Sequence, residues 1–311
     1  MKTAFLFSGQ GAQYQGMGQS LYGQEKIVRE TFNEASEILD YDMAKLCFEE
    51  NSQLNQTEYT QPAILTVSVA FQRLLAAEGF SADVVAGLSL GEYSALVASG
   101  ALRFSSAVQL VSKRGKFMTV AAPPGMGKMV AVMNAPVDVI EKCCEQAQQF
   151  GIVSPANYNT PQQIVIGGES SAVDEAIRLL KEQGIKRMIP LNVSGPFHTK
   201  LLVPAAEKLE KELESVRFFE PVVPVISNTT AQVMNADQIK ELLKKQVMSP
   251  VRFYESIETM KKLGVTRIIE VGPGKVLSGF VRKIDSSLEI ARVEDAETFL
   301  QTKEFLAGGN E

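Results

Sequence analysis

The chain has 311 residues, 45% hydrophobic and 22% charged, with a formal net charge of -5; that is enough apolar sequence for two packed units, and the acidic balance argues against a general nucleic-acid binder. Three cysteines (Cys47, Cys143 and Cys144) and one histidine, His198, fit neither a disulfide framework nor a zinc site. The first residues lack signal-peptide features and no apolar run reaches membrane-spanning length, so a soluble cytoplasmic protein with free thiols is expected.

In chain order, the apolar run at 3–8 predicts a buried strand, followed by amphipathic helices at 28–39 and 61–77. A second strand at 84–89 runs directly into a helix at 92–98. A further helix begins near residue 105, with Arg114 closing it. The breaker-rich stretch 123–127 opens a different rhythm: strand 129–133, helix 137–149, strand 152–156, turn 157–161, strand 163–166, helix 172–183 and strand 187–191. That order is βαββαβ, a ferredoxin-like unit. A helix at 204–213 and strands at 222–227 and 267–272 follow, and residues 307–311 are expected to fray. The alternation of strands and helices predicts an α/β fold with a parallel sheet, split into a larger domain of residues 1–124 and 194–311 and a small insert of residues 125–193. The two ends of an insert must meet, which draws Arg114 and His198 toward one cleft. Loops at the carboxyl ends of the strands carry Gln10, Ser89, Asn228 and Gly272 to Gly274, where α/β sites form.

Gly87-Leu88-Ser89-Leu90-Gly91 has the strand-turn-helix setting of a nucleophile elbow. A glycine-lined turn that packs a helix onto a sheet, with Ser89 as a polar turn residue, fits the string as well. If an imidazole activates the serine, only His198, in the breaker-rich loop Ser194-Gly195-Pro196-Phe197-His198-Thr199, is available. Gly9-Gln10-Gly11-Ala12-Gln13 is not a dinucleotide fingerprint, since Tyr14 stands where glycine would be needed, and Gly272-Pro273-Gly274-Lys275 lacks the spacing of a phosphate loop. In a serine acyl-transfer site, the loop after the first strand and the residue after the nucleophile supply the oxyanion donors; here these are the backbone N–H groups of Gln10 and Leu90. Arg114 is either a solvated charge at a helix C-terminus or a bidentate grip on a substrate carboxylate.

Taken together these residues resemble the malonyl-CoA:acyl carrier protein transacylase family. The carriers are the Gln10 loop, the elbow with Glu92, Arg114-Gly115, Asn157-Tyr158-Asn159, Phe197-His198, Gln246 before Pro250-Val251, and the run Glu270 to Leu277. The resemblance implies an α/β-hydrolase-like domain with a ferredoxin-like insert. It also implies ping-pong transfer of malonyl from malonyl-CoA to the phosphopantetheine thiol of acyl carrier protein, through malonyl-Ser89, in fatty-acid synthesis. On it, His198 is the base, Arg114 binds the malonyl carboxylate, and the backbone carbonyl of Gln246 orients the imidazole. No metal or redox cofactor, nucleic acid or membrane is implied. One departure stands out: the family usually has histidine before the nucleophile, and this chain has Leu88. Phe197 resembles the malonyl-selecting rather than the methylmalonyl-selecting acyltransferases. Two other readings share these residues: a thioesterase, in which water completes the reaction, and a carrier-docking protein with a remnant site.

Overall fold

Eight strands form in the computed structural model, which describes residues 1–193 and 195–308: β1 (Lys2–Phe7), β2 (Val84–Gly87), β3 (Gly127–Met133), β4 (Val153–Thr160), β5 (Gln163–Glu169), β6 (Met188–Pro190), β7 (Val265–Val271) and β8 (Glu289–Val293). They divide into two sheets. One is parallel, in the order β2-β1-β7-β8, and the other is antiparallel, in the order β4-β5-β3-β6.

Alternation along the strands explains how the parallel sheet is covered on both faces. Phe5, Phe7, Val85, Ile269 and Val271 point into the large core with Ile64, Val67 and Phe71 of helix Thr57–Ala77. Ala4, Leu6, Val84, Ala86 and Ile268 face a second core closed by Phe253, Ile257, Met260 and Val281. The antiparallel sheet alternates too. Val130, Val132, Ile164 and Ile166 bury against helices Val137–Ala147 and Ser170–Glu182, whereas Met129, Ala131 and Val165 join the large core on the opposite face.

The β3-helix-β4-β5-helix-β6 order agrees with the expected βαββαβ rhythm. Its ends meet as anticipated: a β-carbon on Gly195 would stand 2.8 Å from the Ala122 carbonyl oxygen, and one on Gly127 would stand 2.8 Å from Pro196. Ser194 of the expected loop and residues 309–311 of the expected frayed tail lie outside the described residues.

Three local expectations are corrected. Residues 222–227 make no regular strand, only isolated bridges from Val225 to Val85 and from Ile226 to Val233; Pro221 and Pro224 lack the N–H groups a ladder needs, although the Pro224 carbonyl accepts from Val85 N–H at 2.9 Å. Asn157, Tyr158, Asn159 and Thr160 are not a turn but the second half of β4; their polarity belongs to a cleft wall rather than a loop. β8 went unforeseen because Glu289-Ile290-Ala291-Arg292-Val293 is a half-exposed edge strand with little apolar signal.

Candidate active site

Carboxyl ends of β1, β2 and β7 open onto one cleft of about 850 Å³, whose far wall is built from Met129, Asn157, Asn159, Gln163 and Val165 of the antiparallel sheet. Gln10, Leu88, Ser89, Phe197 and His198 line it.

Sterics explain the elbow. A β-carbon on Gly91 would lie 2.1 Å from the Phe7 carbonyl oxygen, and one on Gly87 would lie 2.0 Å from the Gly91 backbone. Strand β1 and helix Gly91–Ala98 can touch only through glycines. So the packing reading of the string is correct, and it does not displace the chemical one. Between those glycines Ser89 is forced to φ 54°, a left-handed conformation that costs a residue with a β-carbon about 1–2 kcal/mol. The turn presents its hydroxyl to the cleft.

Two side chains, His198 and Arg114, converge on Ser89 Oγ. His198 Nε2 lies 2.8 Å from Ser89 Oγ, and His198 Nδ1 lies 2.7 Å from the Gln246 backbone oxygen. A carbonyl oxygen only accepts, so Nδ1 carries the proton and Nε2 is free to take one from the serine. Burial, and after it the Arg114 charge, push the imidazole pKa down to about 4, against the pull of the Gln246 carbonyl. The ring is therefore neutral at pH 7 and competent as a base. His198 is itself left-handed, with φ 60°.

Arg114 is not the exposed end of a helix. Helix Phe104–Ala121 runs on for two turns beyond it, and the side chain is 1% exposed. The solvated-charge alternative is thereby removed. Its Nη1 donates to Gln61 Oε1 at 2.8 Å; its Nη2 donates to Gln246 Oε1 at 2.9 Å and to Ser89 Oγ at 3.1 Å. All three acceptors are neutral, and Nε has no partner among the described residues. Burial draws its pKa down from the ordinary guanidinium value. The buried Glu92 carboxyl acts on this cation only at a distance, and with neutral oxygens as its direct acceptors the guanidinium favours an incoming anion.

Around these groups runs a polar network that sequence reasoning foresaw only in part. Gln246 supplies more than its carbonyl: its Nε2 donates to the Ser89 carbonyl at 2.9 Å and to Glu92 Oε2 at 3.2 Å. Gln61, which drew no attention as one residue of an amphipathic helix, links Arg114 to Gln10 through its own amide, 3.3 Å from Gln10 Oε1. Asn228 clamps the elbow, accepting from Ser89 N–H at 2.6 Å and donating to the Gly87 carbonyl at 2.6 Å. Glu92 is fully buried, and that burial raises its pKa to about 7 against hydrogen bonds from Asn228 and Gln246 and the charge of Arg114. Among the described residues neither the Gln10 nor the Leu90 N–H donates to a protein acceptor. Among the described residues no carboxylate hydrogen-bonds to His198, whose ring meets the Gln246 carbonyl and Ser89 Oγ. Among the described residues no cluster of His, Cys, Asp and Glu has a metal-holding arrangement, and no helix is long and apolar enough to cross a membrane.

The acyl transferase domain family matches residues 4–298. A malonyl CoA-acyl carrier protein transacylase of Bacillus subtilis (strain 168) is 47% identical over 300 residues, covering 96% of this chain and 95% of the relative. The chain belongs to the malonyl CoA-acyl carrier protein transacylase family. Members of that family are acyltransferases, and so is this chain. The structure of MCAT from Streptococcus pneumoniae superposes with a TM-score of 0.96 at 58% identity, over 98% of this chain and 100% of that one. A malonyl-transacylase solved in complex with its type II PKS acyl-carrier protein aligns at 40% identity and a TM-score of 0.95, over 98% of this chain and 100% of that one.

Proposed function

We propose that this transacylase moves malonyl from malonyl-CoA to the phosphopantetheine thiol of acyl carrier protein by a ping-pong route through malonyl-Ser89, supplying fatty-acid elongation in the cytoplasm. The observation that carries the reading is the position of Ser89 Oγ, between a neutral imidazole nitrogen at 2.8 Å and a buried guanidinium at 3.1 Å. The names of the relatives point the same way.

In the first half-reaction His198 Nε2 takes the Ser89 proton as Oγ attacks the thioester carbon. The oxyanion is held by the N–H groups of Gln10 and Leu90, which are free of protein acceptors. The tetrahedral intermediate collapses, the C–S bond breaks, and imidazolium returns its proton to the CoA sulfur. In the second half the carrier thiol gives its proton to His198, its sulfur attacks the malonyl-serine ester, and Ser89 Oγ is reprotonated as it leaves. The steps balance with no oxidant or metal. The Gln246 carbonyl stabilises the imidazolium in both halves. With Leu88 where the family usually has histidine, one imidazole serves them both.

Arg114 binds the malonyl carboxylate. Only two carbons separate an ester carbonyl on Ser89 from the end of that carboxylate, so a guanidinium already within 3.1 Å of Oγ has the matching reach. Phe197 lies on the cleft wall, and its resemblance to the malonyl-selecting acyltransferases is in keeping with malonyl over methylmalonyl. The architecture reads as an α/β-hydrolase-like domain of residues 1–124 and 194–311 with a ferredoxin-like insert of residues 125–193. The β4-β5-β3-β6 order of the insert's sheet supports that reading. Three buried, unpaired cysteines suit a reducing cytoplasm.

The deciding experiment is transfer of labelled malonyl from CoA to carrier protein, with acetyl and methylmalonyl competitors and Ser89→Ala as control. Transfer by the wild type, a malonyl adduct by intact mass, and neither in Ser89→Ala are expected. Absence of the wild-type adduct would sink the covalent route. Free malonate released without carrier at the rate of transfer would make the protein a thioesterase.

A further inference from the structure

The mechanism makes no use of the buried carboxyl group of Glu92. Glu92 is 0% exposed and lies in the first turn of helix Gly91–Ala98, three residues after Ser89. There the helix dipole favours an anion. Its Oε2 receives two hydrogen bonds, from Asn228 N–H at 2.8 Å and from Gln246 Nε2 at 3.2 Å.

Those two donors also hold Ser89. Asn228 Oδ1 takes the Ser89 N–H and Gln246 Nε2 reaches the Ser89 carbonyl, so both peptide groups of a residue at φ 54° are gripped by two residues that meet on one carboxyl oxygen, Asn228 through its backbone N–H and Gln246 through its side-chain amide. A left-handed serine persists only where its surroundings over-determine it. Arg114 and the Ser89 carbonyl decide which way the Gln246 amide lies: a guanidinium only donates, so Oε1 faces it at 2.9 Å, and the NH₂ is left for the Ser89 carbonyl and Glu92 Oε2.

We infer that Glu92 is a positioning residue that holds Ser89 in its reactive conformation through Asn228 and Gln246. This rests on Ser89 being the nucleophile of the proposed route. Glu92 touches no reacting atom. Its removal slows attack by Ser89 rather than weakening substrate binding, and it acts through the same clamp as Asn228.

Two reagents separate this inference from the function itself: malonyl-CoA, and phenylmethanesulfonyl fluoride, which is attacked at sulfur with loss of fluoride and carries no carboxylate for Arg114. Intact mass gives the rate of Ser89 modification by each. For Glu92→Gln, which keeps shape and one acceptor, both rates are expected to fall about tenfold while the malonyl-CoA KM stays within about threefold. Glu92→Leu is expected to fall further. Asn228→Ala should lose about tenfold, and the double variant Glu92→Gln with Asn228→Ala about tenfold rather than the hundredfold of independent sites. Wild-type rates in Glu92→Gln, or a multiplicative double variant, would overturn the inference, as would losses that match the unfolded fraction seen by circular dichroism. A wild type that sulfonylates but does not take malonyl overturns the malonyl reading, and the comparison of sulfonylation rates still decides the role of Glu92.

Discussion

His198 Nε2 stands 2.8 Å from Ser89 Oγ although 109 residues separate the two in the chain, and both residues occupy left-handed backbone. Left-handed backbone at both ends of one hydrogen bond is strain that persists only where the surroundings over-determine it. The pair exists because Gly87 and Gly91 force the elbow on one side and the Gln246 carbonyl fixes the ring on the other. The aim of the hydroxyl and the tautomer of the imidazole are both set before substrate arrives.

The first prediction concerns pH. With the His198 pKa lowered to about 4 from 6.5, protonation of the ring should cut kcat/KM for acylation tenfold per pH unit only below about 4, beneath a separate step of at most about tenfold as Glu92 takes up its proton near pH 7. The sign follows from the neutral ring being the base: protonation removes activity, and lowering the pKa moves that loss to lower pH. The same group stabilises the fold fully above pH 6.5, and this contribution is lost as pH falls through about 4. A pH-rate profile that already falls tenfold per pH unit below about 6.5, and still does so in Glu92→Gln, would contradict the buried, neutral imidazole. His198→Ala should cost about 10² to 10⁴ in acylation rate.

On the proposed route Arg114 sets selectivity. Arg114→Ala should abolish most malonyl transfer and narrow the malonyl-to-acetyl preference, which a site built around a buried polar group can raise to about 10⁴. Arg114→Lys should recover little, because one ammonium cannot meet Gln61 and Gln246 and still grip a carboxylate. Competition between the two acyl-CoAs measures the ratio; an unchanged ratio in Arg114→Ala would remove the carboxylate from its role.

Gln246 tests backbone against side chain. Were the carbonyl alone important, Gln246→Ala would retain most activity. Because the amide also bonds Arg114, Ser89 and Glu92, acylation in Gln246→Ala should fall at least tenfold, with a narrower malonyl-to-acetyl ratio, yet less far than in His198→Ala. Single-turnover acylation of the three proteins gives the ranking.

Two glycines should respond in opposite directions. Gly91→Ala drives a methyl to 2.1 Å from the Phe7 carbonyl oxygen and should destabilise the protein by about 1–3 kcal/mol or more. Gly279→Ala, inside helix Val276–Ile284 with no atom within 4 Å of the new methyl, should stabilise it by about 0.5–1 kcal/mol. Urea unfolding midpoints compare the two, and a Gly91→Ala protein as stable as wild type would show that the contact between strand and helix yields.

Much was legible in the residues themselves because it is decided over a few positions. Apolar runs between breakers predicted β1, β2, β7 and the βαββαβ order, and the glycine spacing around Ser89 predicted the elbow. Where polarity served the cleft or proline stood in a run, local rules misled, as in β4 and at residues 222–227. The solitary histidine left one candidate base. What the sequence could not decide was company. Arg114 looked like either a solvated helix end or a carboxylate grip, and only the packing of helices Thr57–Ala77 and Phe104–Ala121 buried it beside Gln61. Glu92, Asn228 and the Gln246 side chain are common residue types with no spacing signature. Their meaning lies in hydrogen bonds that span 132 to 157 residues of chain. Such contacts depend on how whole elements pack, and therefore only the tertiary structure decided them.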